Sequence, residues 1–235
     1  MSTPALHIEG LTSGYGEAMV LRNLSLSMLP GEVLAVLGKN GMGKSTLLKT
    51  VMGFLPAKRG TIRIHGADTT GMAPYRMAAL GVAYSSQDQA IFQDLSVEEN
   101  LRLGLRRDRG FEDALAHVVT FFPFLGQRRR QAAGTLSGGE QKMLIMARAL
   151  MARPRLMLVD EISEGLQPSV ILRLAEVLRS ELKALGLTIL LIEQNVQFAL
   201  SVASRYAVLT RGEITDTGLA SEPDAEARIH AHLAV

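Results

Sequence analysis

Apolar positions recur along this chain in two rhythms. Leu6–Glu9 and Leu24–Met28 alternate apolar with polar, the period of a strand with one face on a core. Val33–Leu37 has no polar position at all, which predicts a strand buried on both faces of a sheet. Leu156–Asp160 and Thr188–Ile192 repeat that pattern, and Thr61–Ile64, Val82–Tyr84, Tyr206–Thr210 and Glu213–Asp216 add shorter strands. The second rhythm is helical. Lys44–Met52 runs to Gly53, and Val97–Arg107 opens after Ser96 with Glu98 and Glu99 in its first turn. Phe111–Phe122 ends at Pro123, and Gln141–Ala152 stops before Pro154. Val170–Leu185 sets Val170, Leu174, Val177, Leu178 and Leu182 on one face and ends at Gly186; Asn195–Ser204 is a further helix. Strands alternating with helices at both ends predict an α/β sheet, with a helical lobe inserted at about residues 88–152.

Composition narrows this picture only a little. The 235 residues are 47% hydrophobic, enough for a sizeable core and too apolar for a disordered chain. Lys and Arg number 25 against 23 Asp and Glu, so net charge leaves no nucleic-acid footprint and no nucleic-acid partner is expected. The absence of cysteine excludes disulfides, zinc–thiolate sites and thiol catalysis. The N-terminus lacks the pattern of a signal peptide. Apolar runs such as Ile189–Ile192 fall far short of the roughly 20 residues that span a bilayer. Without repeats or a Ser/Gly linker, one domain over residues 1–235 is expected.

Chemistry is concentrated in three stretches. Gly38-Lys39-Asn40-Gly41-Met42-Gly43-Lys44-Ser45-Thr46 lies between a buried strand and a helix, the setting of a phosphate-binding loop. Its glycines let backbone N–H groups converge on phosphate oxygens, and the helix N-terminus adds positive potential. Lys44 would bridge β- and γ-phosphates, and the Ser45 hydroxyl would bind Mg²⁺. Leu156–Glu161 is an apolar strand ending in two acids, at the edge where α/β sheets bind ligands. Asp160 would hold Mg²⁺ and Glu161 would activate water. Either acid alone would be an ordinary cap or solvated loop residue. Third, Leu136-Ser137-Gly138-Gly139-Glu140-Gln141 places a second Ser-Gly-Gly at a helix start, which in isolation is a plain N-cap.

Together the three stretches resemble the ATP-binding-cassette ATPases over nearly the whole chain. The resemblance implies a P-loop NTPase core, a RecA-like sheet plus an antiparallel β subdomain, with an inserted helical subdomain. It implies ATP and Mg²⁺ as ligands and two cassettes packed head to tail. Ser137, Gly138, Gly139 and Glu140 of one cassette would then close over the γ-phosphate held by Lys44 of the other. Tyr15, in Gly14-Tyr15-Gly16, matches the aromatic that stacks on adenine, and Gln87 matches the glutamine that touches Mg²⁺ and relays to the transporter. Ser163–Pro168 matches the loop that contacts the opposite cassette.

Two departures from the family pattern stand out. Ile162 occupies the position after the catalytic Glu where the family usually has Pro, so the 163–168 loop is expected to be less constrained. Gln194, in Glu193-Gln194-Asn195, stands where most cassettes carry a switch His. With Ser163–Leu166 and Ile91–Leu101, that run resembles the ATPases of branched-chain amino-acid importers, whose close relatives carry amides or urea. The implied partners are a second cassette, identical or sister, two membrane permeases and, indirectly, an extracytoplasmic solute-binding protein. The implied place is the cytoplasmic face of the inner membrane. An export motor of the lipopolysaccharide type and a soluble non-transport cassette are the alternatives. Gln194 counts against the first, and the short Lys44–Ser137 interval against a coiled-coil repair cassette. Arg102, Arg106, Arg107, Arg109 and Arg128–Arg130 read as a solvated face, and His230 and His232 as part of a C-terminal surface helix.

Overall fold

The computed structural model describes residues 3–86, 91–105 and 107–234, with backbone alone described for 181–185. Its strands are β1 (Leu6–Tyr15), β2 (Ala18–Met28), β3 (Val33–Leu37), β4 (Ala57–Ile64), β5 (Ala67–Asp68), β6 (Val82–Ser85), β7 (Leu156–Asp160), β8 (Thr188–Glu193), β9 (Arg205–Thr210) and β10 (Glu213–Leu219). Helices are α1 (Lys44–Val51), α2 (Pro74–Ala79), α3 (Val97–Arg102), α4 (Phe111–Phe121), α5 (Pro123–Gln127), α6 (Gly138–Met151), α7 (Pro168–Leu185), α8 (Val196–Val202) and α9 (Ala225–Leu233).

The strands form two sheets, an antiparallel one ordered β2-β1-β4-β5 and a six-stranded one ordered β10-β9-β3-β8-β7-β6. In the larger sheet β9, β3, β8, β7 and β6 run parallel, and β10 pairs antiparallel with β9. The all-apolar sequences of β3, β7 and β8 follow from this placement. Along β7, Leu156 and Leu158 enter the core shared with α1 and the antiparallel sheet, while Met157 and Val159 enter the core shared with α6 and α7. Neither face meets water, so neither face is polar. Because β3, β8 and β7 are neighbours in register, Leu37 lies opposite Glu193 and Asp160 opposite Ile192. The segments leaving these three strands therefore emerge side by side. Here the active groups gather.

Between β6 and β7 the described chain is helical, α3 through α6. Helix α3 stops at Arg102, five residues before the expected end. Gly104 explains this: a Cβ there would lie 2.1 Å from the Arg148 carbonyl of α6, so the chain must turn as it passes that helix. Pro123 does not merely end α4; it is the first residue of α5, where its missing N–H costs nothing. Three of the lobe's arginines are engaged by its own acids. Arg102 pairs with Glu98 and Asp108, Arg129 with Glu98 and Glu112, and Arg128 with Glu140. The side chain of Leu182, and Arg106, lie outside the described residues.

Helix α9 closes the chain against β9 and β10. Ala225 and Ile229 are buried, and Arg228 donates to Asp216, which also accepts from the Tyr206 hydroxyl at 3.0 Å. Burial, helped by the Asp216 carboxylate, pushes the Tyr206 hydroxyl up to about 12. His230 sits on this helix, exposed, 3.8 Å from Glu226. No helix among the described residues is long and apolar enough to cross a membrane.

Candidate nucleotide site

The loop from Gly38 to Gly43 links β3 to α1, as its sequence requires. Gly38 passes so close to β9 that a Cβ would lie 2.6 Å from the Leu209 carbonyl. Gly43 has φ 104° and packs under Val20 and Leu21 of β2, two separate reasons for glycine. The loop is also tied to the β9–β10 turn, since Gly212 N–H donates to the Met42 carbonyl at 3.1 Å. Thr46 is buried inside α1. Tyr15 ends β1 on the same hairpin that packs against Gly43, and its ring is half exposed.

Lys44 does not point into solvent. It is 4% exposed; its Nζ donates to the Lys39 carbonyl at 3.0 Å and lies 3.0 Å from Glu161 Oε1. Glu161, just past β7, has φ 47° and donates its N–H to the Ile192 carbonyl, which turns the side chain towards the loop. Gln194 completes the arrangement from the end of β8. Its Nε2 donates to Asn40 Oδ1 at 2.6 Å and to Glu161 Oε1 at 2.9 Å. One amide thus joins the phosphate loop to the acid. Sequence reasoning named all three groups but missed this bond. Glu161 Oε1 has two partners, whereas Oε2 has none among the described residues.

Asp160 is buried, and burial, with Glu161 adding to it, raises its carboxyl above the ordinary range despite Ser45 and Lys44. The Ser45 hydroxyl approaches Asp160 Oδ1 at 3.4 Å, and the Tyr84 hydroxyl approaches Oδ2 at 3.5 Å. A hydroxyl and a carboxylate facing each other across this gap are hard oxygen donors, with one further acid, Glu161, and one lysine, Lys44, close by. That donor set fits a magnesium ion, which takes few protein oxygens and completes its shell with phosphate and water. Gln87, also expected at the metal, lies outside the described residues.

Ser137, Gly138, Gly139 and Glu140 open α6 on the surface. Ser137 and Glu140 form a reciprocal capping box, and Glu140 also pairs with Arg128. Their hydrogen bonds run within this lobe and not to the phosphate loop of the same chain. Glu193 was not expected to matter. It is 1% exposed and accepts from Ser163 N–H at 3.0 Å, Ser163 Oγ at 2.7 Å and Gln194 N–H at 3.2 Å. A carboxylate closing an otherwise apolar strand was its only sequence signal.

Residues 21–164 match the family model described as ABC transporter. The chain belongs to the ABC transporter family. It is 38% identical over 219 residues to the high-affinity branched-chain amino acid transport ATP-binding protein BraG of Pseudomonas aeruginosa, covering 92% of this cassette and 94% of that protein. A probable branched-chain amino acid transport ATP-binding protein, LivF of Archaeoglobus fulgidus, is 36% identical over 221 residues, covering 90% and 91%. An ABC-transporter ATP-binding cassette solved in its ADP conformation superposes with a TM-score of 0.85 at 27% identity, over 99% of this chain and 96% of that one. The protein is accordingly a nucleotide-binding ATPase of the importer cassettes, working with membrane permease subunits.

Proposed function

We propose that this cassette powers uptake of branched-chain amino acids or a related small polar solute. Full-length similarity to BraG and LivF is the observation that carries the solute class. In this reading two cassettes, this chain with itself or with a sister, pack head to tail on two permeases at the cytoplasmic face of the inner membrane. An extracytoplasmic binding protein delivers the solute. Residues 1–235 act as one nucleotide-binding domain, with residues 88–152 as its helical subdomain.

Tyr15 stacks on adenine, and Gly38, Lys39, Asn40, Gly41, Met42, Gly43 and Thr46 wrap the phosphates with backbone N–H groups. Lys44 binds the β- and γ-phosphates. Ser45 and Asp160, with Gln87, hold magnesium, which when bound neutralises charge building on the phosphate oxygens. Glu161 takes the proton of the attacking water on Oε2 while Gln194 holds Oε1. The second N–H of Gln194 Nε2 passes from Asn40 Oδ1 to the γ-phosphate. Ser137 to Glu140 close the partner's site.

A groove of about 1030 Å³ lies between the sheet edge and the helical lobe. Phe54, Phe92 and Leu103 line it and are each more than half exposed. Arg148 lines it too, stacked 6.0 Å from the Phe92 ring, its pKa lowered by burial and with no carboxylate partner among the described residues. An apolar wall with cations, Arg107 and Arg109 lining it beside Arg148, suits a permease segment presenting an apolar face and a carboxylate.

The solute reading is tested in vesicles carrying this chain and the permeases that co-purify with it. ATP-driven accumulation of labelled leucine, abolished by Lys44→Ala, is expected. Uptake of leucine indifferent to Lys44→Ala would refute it, and urea or amide uptake without leucine would move the solute within the class.

Gln194 is tested by three substitutions. Gln194→Ala should lower turnover sharply with little change in ATP affinity, because it removes the bonds to Asn40 and Glu161. Gln194→Glu should be worst, setting a carboxylate against both Glu161 and the γ-phosphate. Gln194→His should stay active at neutral pH and lose turnover as pH falls through about 6.5, where the imidazole gains a proton and pairs with Glu161. Equal turnover of all three across pH 5.5–7.5, about one unit either side of that value, would make Gln194 structural.

A further inference from the structure

The loop after Glu161 is held more firmly than its sequence suggests. Ile162, standing where the family usually has Pro, is buried in the core shared with α6 and α7. Lys142, on α6 just beyond the Ser137–Glu140 capping box, directs its Nζ to the carbonyls of Ile162, at 3.4 Å, and Glu164. From the other side, Glu193 takes both donors of Ser163, its N–H and its hydroxyl. Carbonyls on one side and an N–H and hydroxyl on the other are thereby fixed at once. Burial lowers the Lys142 pKa, against the pull of Glu164, Glu193 and Glu161, and raises that of Glu193. Both charged groups are held in place at a desolvation cost, which a surface loop would not require.

We propose that Lys142 and Glu193 are positioning residues that fix the 161–165 loop to the signature helix α6 and to Gln194. The chain of contacts runs from α6 through Lys142 to the loop carbonyls, from Ser163 to Glu193, and from Glu193 to the backbone of Gln194. Gln194 in turn holds Glu161 and Asn40. The signature of a cassette and its own water-activating acid are thus set by one connected piece of structure. The consequence rests on the head-to-tail reading given above: α6 and the loop meet the opposite cassette as one surface, so a dimer that aligns the signature also aligns Glu161. Proline would constrain one φ angle; these contacts hold the loop from both sides.

Lys142→Met keeps the aliphatic stem and deletes the donor. Ser163→Ala deletes one of the two bonds to Glu193, and Glu193→Gln turns an NH₂ towards groups that are themselves donors. Each is measured for ATP affinity, kcat, KM and thermal midpoint, in the preparation in which the parent chain turns over ATP. Expected is a kcat loss on the order of ten- to a hundredfold, the scale of a small misplacement of reacting groups. KM should stay within about twofold of the parent, with Lys142→Arg and Ser163→Thr restoring most of kcat and Lys142→Met/Ser163→Ala costing less than the product of the single losses. Parental kcat in Lys142→Met and Ser163→Ala overturns the proposal. So does a fall in ATP affinity that matches the fall in kcat, since that is what general loosening gives. Light scattering of Glu161→Gln with ATP tests the dimer separately: no ATP-dependent dimer rejects the head-to-tail reading, whereas a dimer beside parental kcat in the loop variants rejects the positioning role alone.

Discussion

Glu161→Gln should stop turnover while leaving ATP bound. The amide keeps the shape of the side chain and can still meet Gln194, but it cannot accept the proton of water on Oε2. Loss of a positioned base costs about a hundredfold to ten-thousandfold in rate. ATP should then accumulate between two cassettes, so that a dimer appears by light scattering with ATP and not with ADP. Turnover near that of the parent would show that another group activates water.

Lys44→Ala should remove nucleotide binding. Hydrogen bonds to charged groups contribute about 1.5–3 kcal/mol each, and each ~1.4 kcal/mol is tenfold in affinity, so a loss of at least about tenfold is expected by calorimetry. A second effect must be separated from the first. The Lys44–Glu161 pair is almost wholly buried, 4% and 7% exposed. Leaving one buried partner alone costs about 3–5 kcal/mol, enough to lower the thermal midpoint by roughly 10 °C in a chain of this size. The double variant Lys44→Ala/Glu161→Gln removes both charges and should recover much of the stability without recovering ATP binding. If it recovers both, the lysine served folding and not phosphate.

What could be read in the sequence divides along physical lines. The buried strands β3, β7 and β8 were legible to within a residue, because a strand covered on both faces leaves an unbroken apolar run. The phosphate loop was legible because only glycine suits its close approaches. Strand β1 runs on to Tyr15, well past Glu9, since register shifts beyond Ile8 break the alternation. Strand β4 begins in the polar Ala57–Gly60 stretch, where pairing with β1 substitutes for apolar character. Helix α2 and the two residues of β5 are too short to leave a period. Helix α6 starts at Gly138, before the expected Gln141, because the capping box outweighs the poor helix propensity of two glycines. Lys44, Ser45, Asp160, Glu161 and Gln194, which the structure brings together, were all named from the sequence, but the bonds between them were not. Nothing in a linear pattern says that Gln194 bonds Asn40, or that Ile162 is a core residue and not simply a missing proline.

The ion pair between Lys44 and Glu161 also bears on how the cycle ends. In the proposed reading, a phosphate reaching Lys44 competes with a carboxylate 3.0 Å away. The apparent affinity would then be the intrinsic one reduced by the fraction of cassettes in which that carboxylate has let go. The same competition acts in reverse at product release. As phosphate loosens, Glu161, held within the same site by Gln194, would reclaim the lysine without diffusing to it, an internal rival to the product.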